Sequence, residues 1–325
     1  MGKDTKLGEA RLRELEKRQS PPKFGADYKP SIMATRAEAP SISRAAQIKY
    51  KPLGRYIHAL SMGERNAFIL AAYHPGLWEV QEQRMLPYLP AEHPMALHER
   101  GKHKKWPILQ GSIDVAERLG FLEYHPHFQK TVNGERCWVP FPFINDFLFF
   151  FNDEQGDYCL NWNVKATREG FSHKNPELLA GYKRSDVKDE KTVARHAIEK
   201  QLFSDADIRT VEIAANEIDP DVIANLTQIY LWHDKSVRLA KSVIDEVEQT
   251  FQAGLVKGIA PIETVFDLAV QYQCHTDTLK TIYYHMIWSR KLRVDLYTPI
   301  LIDRPIYPER KDVLLAYAFW FGRAA

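Results

Sequence analysis

The stretch that most constrains this chain is Phe141–Lys165, FPFINDFLFFFNDEQGDYCLNWNVK. Ile144 to Phe151 is a nearly continuous apolar and aromatic run, broken at its start by Asp146. Its length, its aromatic content and its flanking turn residues predict a buried strand. Asn152–Asp157 is turn chemistry, with Gly156 where positive φ is expected. Tyr158 to Val164 alternates and predicts the hairpin partner, which ends on Lys165. Such a hairpin brings a carboxylate and an ammonium to one edge of a sheet. A buried carboxylate left uncompensated is costly, so Asp146 needs a partner. A structural salt bridge to Lys165 meets that need, and so does a divalent metal with the lysine nearby; the hairpin alone leaves both open.

At 325 residues the chain has room for two domains with real cores. No run is apolar enough to predict a membrane span, and the polar, charged N-terminus does not read as a secretory signal. Cys137, Cys159 and Cys274 are scattered, which suits a reducing cytoplasm and argues against a disulfide scaffold or a zinc site. The net charge of +2 is uninformative, but its distribution is not. Residues 1–60 carry 13 Lys/Arg against 6 Asp/Glu, and a second basic knot runs from His98 to Trp106. Basic segments carrying an aromatic suit phosphate backbones, and equally they form ordinary solvated surface.

In chain order, Asp4–Gln19 has helical composition and is stopped by Pro21-Pro22, after which Gly25–Pro30 reads as an extended arm and Ser31–Leu53 as mixed, with Pro40 and Pro52 marking loops. Ser61 is a good N-cap for a helix over Met62–Ala72, with Glu64 placed as the acidic member of a capping box. Trp78–Gln83 reads as a short strand. Pro87–Trp138 carries one helical piece, Ile113–Leu119, and a hairpin near Asn133-Gly134. Residues 168–190 read as a polar loop, followed by a helix over Glu190–Phe203 and a last strand over Arg209–Ala214. Glu217–Pro220 caps the next helix and marks a domain boundary. From Asp221 the pattern is mainly helical, ending in two helices (Ile262–Gln271 and Thr276–Trp288), a small hairpin (Leu292–Leu296 with Ile300–Ile302) and a single apolar tail helix over Lys311–Phe321. Helix, turn, helix and hairpin is the order of a winged helix. The second of those helices has few basic residues, Lys280 and the flanking Arg290, Lys291 and Arg293, so protein contact and DNA contact stay equally open.

An ordered set emerges: Glu64 early on a helix, Asp146 on a strand, Asn163-Val164-Lys165 on its partner, then a helix carrying Glu199. This resembles the PD-(D/E)XK nuclease fold, and more specifically the TnsA family, the endonuclease subunits of heteromeric transposases. GADYKP (Gly25–Pro30) resembles the family's G-x-DY-x-P, and EAPSISRAAQI (Glu38–Ile48) its VPS-x-GR block. GRYIHALSMGE (Gly54–Glu64) is similar to GR-x-HHLLS-x-x-E, which ends on the catalytic glutamate. EVQEQ (Glu79–Gln83) resembles IREQ, and NDFLF (Asn145–Phe149) resembles TDFL. NVK (Asn163–Lys165) stands where the family has QVK, AIEKQLF (Ala197–Phe203) resembles the ER-x-YW helix, and EIDPDVIANL (Glu217–Leu226) the entry to the C-terminal domain. Asn163 for glutamine, Lys200 for arginine and a long Gly101–Trp138 segment depart from the pattern.

The resemblance implies an α/β fold: a restriction-endonuclease-like mixed-sheet core with helices, followed by a mainly α winged-helix C-terminal domain. The expected division is a basic arm over 1–24, an endonuclease domain over 25–218 with an insertion at about 92–138, and a winged-helix-like domain with a partner-binding tail over 219–325. Glu64, Asp146, Lys165, Asn163 and Glu199 are the implied catalytic residues. Glu64 and Asp146 are hard oxygen ligands suited to Mg²⁺, with Mn²⁺ able to substitute, and the Val164 carbonyl is the expected third protein ligand. Lys165 would orient the attacking water or neutralise the phosphate. Arg44, Arg55, Lys102, Lys104 and Lys105 are the expected contacts to duplex DNA, without sequence choice. The implied activity is cleavage of the 5′, non-transferred strands at transposon ends, together with a TnsB-like transposase and a TnsC-like AAA+ ATPase. The implied location is the bacterial cytoplasm, at the nucleoid during transposition. A stand-alone restriction-type endonuclease and a non-catalytic DNA-binding or scaffold subunit are the alternatives.

Overall fold

The central hairpin forms from β6 (Phe147–Asp153) and β7 (Gly156–Lys165), antiparallel, with Phe147 opposite Trp162 and the turn closed by Gly156 at φ +104°. The computed structural model describes residues 7–40, 44–173 and 188–323. Residues 1–6 of the expected arm, 41–43 of the second family-like block and 174–187 of the expected loop lie outside that set. Phe147 to Phe151 are fully buried, and Tyr158 to Val164 are buried without a break. The expected alternation of β7 is therefore one of residue type, not exposure: both faces of the strand are covered. On one face Leu148, Phe150 and Cys159 pack with Ile198 and Leu202 of α4 (Glu190–Ser204) and with Val115 and Ala116 of α3 (Ser112–Arg118). On the other, Phe151 and Trp162 meet the rings of Trp320 and Phe321.

β3 (Leu77–Glu82) pairs antiparallel with β6, and β8 (Arg209–Ala214) pairs parallel with β7, giving a mixed sheet of order β3-β6-β7-β8. The fold is mixed α/β. Two smaller hairpins flank it. One is β1 (Ala46–Tyr50) with β2 (Arg55–Ala59), where the loop expected at Pro52 shrinks to the connection between two strands. The other is β4 (His127–Val132) with β5 (Glu135–Pro140), joined at Asn133-Gly134 as expected. The N-terminal helix α1 (Glu9–Gln19) packs Leu12 and Leu15 against Phe128 and Phe141, so the described part of the arm belongs to this core. The expected extended arm is anchored too: Gly25 N–H donates to the Glu79 carboxylate, and the Tyr28 hydroxyl donates to the Glu82 carbonyl at 2.8 Å.

The chain divides into two compact units: Met1–Ala67, Gly76–Glu217 and Trp320–Ala325 form one, and Phe68–Pro75 with Ile218–Phe319 form the other. In the second, α5 (Pro220–Tyr230, capped by Asp219), α6 (Lys241–Lys257), α7 (Pro261–Gln271) and α8 (Thr276–Trp288) bury their apolar stripes together. The expected hairpin after α8 is absent among the described residues. Buried Asn225 donates to the carbonyls of Leu296 and Thr298 and accepts from the Ile300 N–H, which ties the intended strand partners into a loop. Residues near Val294 pair instead with Tyr307–Glu309. The tail is two short helices, α9 (Val313–Ala316) and α10 (Ala318–Phe321), and its last turn joins the first unit. Among the described residues no helix is long and apolar enough to cross a membrane.

Candidate active site

Glu64 stands in the first turn of α2 (Met62–Ala72), and half of the expected capping box forms: its N–H donates to Ser61 Oγ at 3.1 Å, while its Oε1 meets the Ser61 hydroxyl at 3.1 Å and not the Ser61 N–H. Oε2 accepts from the Leu60 N–H at 2.8 Å and from Gln83 Nε2 at 3.0 Å. Gly63 lets the helix approach the sheet this closely; a Cβ there would stand 3.1 Å from Ala215 Cβ and 3.4 Å from Val164 Cγ1. Asp146 lies immediately before β6, one residue beyond the Phe147–Trp162 pair that opens the hairpin register. Its Oδ2 accepts from the Val164 N–H at 2.7 Å. Among the described residues Asp146 and Lys165 form no ion pair, so the simple salt-bridged hairpin is not what holds this carboxylate.

The electrostatics single out the same place. Burial first, and the charge of Asp146 second, hold the Glu64 carboxyl well above the ordinary carboxylate range, against the pull of the Leu60 N–H, the Ser61 hydroxyl and Lys165. Glu199 on α4 is fully buried, not solvated as an exposed helix glutamate would be. Its Oε1 accepts from Asn161 Nδ2 at 2.9 Å, while Oε2 has no partner. Burial pushes its carboxyl up to about 7. Asn163 is buried with its Nδ2 unpartnered. It shares a strand face with Lys165, which is half-buried and stands against Gly170. His196, one turn from Glu199, is held neutral, its pKa lowered to about 3 by burial and by the charges of Lys165 and Arg195.

A buried acid, Glu64, repelled by a half-buried one, Asp146, is a donor set that a divalent cation relieves. An extended residue turns its N–H and C=O to the same side, so the Val164 carbonyl faces the edge where Asp146 sits. Glu64, Asp146 and that carbonyl therefore fit a hard, oxygen-liganded ion. No set of three His, Cys, Asp or Glu side chains forms a metal cage among the described residues, so further ligands would come from water or substrate.

Beside Asp146 opens a cleft of about 630 Å³ lined by Leu60, Gln83, Ile144, Lys191 and Arg195. Two of these cleft residues have roles that sequence reasoning missed. Gln83, at φ +50°, is held in the left-handed region while its amide bonds Glu64; strain of this kind collects at functional sites. Arg195 donates through Nη2 to the Ile144 carbonyl at 2.9 Å, and its Nε is buried without a partner. The visible signal for Arg195 was its place one turn before Glu199. Of the expected DNA contacts, Arg55 is corrected: it is buried in a bidentate pair with Glu82 (2.8 and 2.9 Å) and is structural. Arg44, Lys102, Lys104 and Lys105 are exposed, with Lys102 paired to Glu99. No family model and no curated protein matches this chain.

Proposed function

We propose that this chain is a magnesium-dependent DNA endonuclease with a restriction-endonuclease-like core, the 5′-strand-cutting subunit of a TnsA-type heteromeric transposase. The observation that carries the reading is the meeting of Glu64 and Asp146, 82 positions apart in sequence, as mutually repelling carboxylates at the end of a mixed sheet, with Lys165 close enough to act on both Glu64 and Glu199. The ordered sequence blocks supply the family. Glu64, Asp146 and the Val164 carbonyl would hold magnesium, which when bound supplies Lewis-acid activation of water and neutralises charge on the scissile phosphate. Lys165 orients the attacking water or stabilises the phosphorane-like charge. Arg195 offers a guanidinium to a phosphate oxygen in the cleft. Gln83 and the Leu60 N–H fix the rotamer of Glu64. Glu199 acts through Asn161 on the strand that carries Asn163 and Lys165.

In the C-terminal unit, read as a winged-helix relative without a stranded wing, Lys280 pairs with Asp277, Arg290 and Arg293 with Asp312, and Lys291 with Glu248. Cations already neutralised this way favour a protein-contacting role, so the cut site is taken from the TnsB-like partner. The test is cleavage of transposon-end DNA with Mg²⁺, with and without TnsB-like and TnsC-like partners. Asp146→Ala is expected to abolish 5′-strand cleavage while partner-dependent 3′ cleavage persists. Wild-type double-strand breaks by that variant would end the proposal, and strong solitary cutting at a defined sequence would favour a restriction-type enzyme.

A further inference from the structure

Away from the acids, a second cavity of about 300 Å³ lies between Gln19–Tyr28, the residues after β3 and the segment from Ala91 to Leu109. Arg84 lines it. Its Nη1 donates to Gln81 Oε1, and Gln81 Nε2 in turn donates to the Lys23 carbonyl at 3.0 Å, which aims the guanidinium at the arm. Among the described residues no carboxylate pairs with Arg84. Burial lowers its pKa, and the groups opposing that are Tyr28 and Cys159, both held neutral by burial. Arg84 is half-buried and faces the cavity without an anion, and a partly desolvated cation gains from one. Glu92 lines the same cavity but is exposed and makes no ion pair with Arg84. Half-buried Lys23 and exposed Ser20 also line it, and neither side chain has a hydrogen-bond partner among the described residues. Met85, Leu97 and Leu109 supply an apolar wall.

This composition, mostly apolar with a few convergent polar groups, is that of a small-ligand site, and the volume matches the lower end of such sites. A fork-shaped cation on one wall, with a lysine and a serine on the other, suits a tetrahedral oxyanion better than a planar carboxylate, because one Arg84 nitrogen is already committed to Gln81. Inorganic phosphate alone would leave most of the space empty. We propose that this cavity binds a nucleoside 5′-phosphate, its phosphate on Arg84, Lys23 and Ser20 and its body against Met85, Leu97 and Leu109. The same chemistry is presented by a free nucleotide and by the 5′-phosphorylated end of a DNA strand. The inference does not rest on the nuclease reading.

The test is titration calorimetry on the full chain in chloride buffer with EDTA. The probes are deoxyadenosine 5′-monophosphate, deoxyadenosine, inorganic phosphate, and a short oligonucleotide with a 5′-phosphate or a 5′-hydroxyl. The expected result is a Kd of about 10–100 µM for the phosphorylated probe that fits, weakened at least about tenfold by loss of the phosphate or by Arg84→Gln. Lys23→Gln, at the rim and away from the core, weakens it severalfold and tests the site even if Arg84→Gln fails to fold. Arg84-dependent binding of the nucleotide assigns the free ligand; such binding of the phosphorylated oligonucleotide alone assigns the strand end. No binding of either up to about 10 mM overturns the proposal. So does binding unaffected by both substitutions, or binding that appears only in Glu92→Gln, which would make Glu92 the counter-ion.

Discussion

Glu199→Gln isolates the energetic consequence of burying an acid beside the candidate site. The wild-type carboxyl is raised from 4.5 to about 7, first by burial and then by the charge of Asp146, with Arg195, Asn161 and Lys165 acting the other way. Between those pH values the folded chain holds a proton that the unfolded chain has lost. Stability therefore falls as pH rises through the window. At 1.36 kcal/mol for each pKa unit, the raised value amounts to about 3 kcal/mol lost by neutral pH. Glutamine keeps an oxygen to accept from Asn161 and carries no charge. The variant should match wild type near pH 4.5 and exceed it by up to about 3 kcal/mol near pH 8. Urea unfolding in EDTA, at several pH values, reads the difference; Glu64 and His196 titrate in both proteins and largely cancel. A flat difference curve, or a variant less stable at alkaline pH, would show that Glu199 is ionised and paired, and the burial argument would be wrong.

The central hairpin was legible because a dense aromatic run, a glycine turn and a following strand leave few alternatives, and because Phe147–Phe151 must be covered wherever they go. The Ser61 cap on Glu64 was legible for a local reason, its partners lying three residues apart, but the carboxylate turns to the Leu60 N–H and leaves the box half made. The small β1–β2 hairpin was hidden because Pro52 reads as a loop, and there it sits in the connection. Arg55 was misread because its charge was visible and Glu82, 27 positions on, was not linked to it. The burial of Glu199 was invisible for the same reason, since its partner is an asparagine on another element. The absent C-terminal hairpin was decided by one buried amide: Asn225 captures the backbone groups that a strand ladder needs. Apart from the local β1–β2 hairpin, the deciding contact in each failure spans tens of residues and involves a polar side chain, a type whose partners periodicity does not reveal.

Arg55→Met should lower stability by about 3–5 kcal/mol, because it strands buried Glu82, and Glu82→Gln added to it should recover part of the loss; a normal melting temperature with weaker DNA binding would restore Arg55 as a DNA contact. Gly170→Ala places a Cβ 3.0 Å from Lys165 Cβ and 3.3 Å from its Cγ, so Lys165 must move; cleavage should drop about tenfold or more with little change in melting temperature. Unaltered cleavage by that variant would mean that the position of Lys165 is not critical. Asp146→Asn separates chemistry from architecture most sharply. The amide oxygen still accepts from the Val164 N–H, so the 2.7 Å contact that seats the strand survives. The charge that raises Glu64 is gone, so the metal-free variant should be at least as stable as wild type, while magnesium no longer stabilises it and cleavage falls by about 10³-fold or more. If Asp146 were instead a structural anchor, neutralising it would lower stability and spare cleavage; the opposite signs of the two outcomes make a single pair of melting and cleavage measurements decisive.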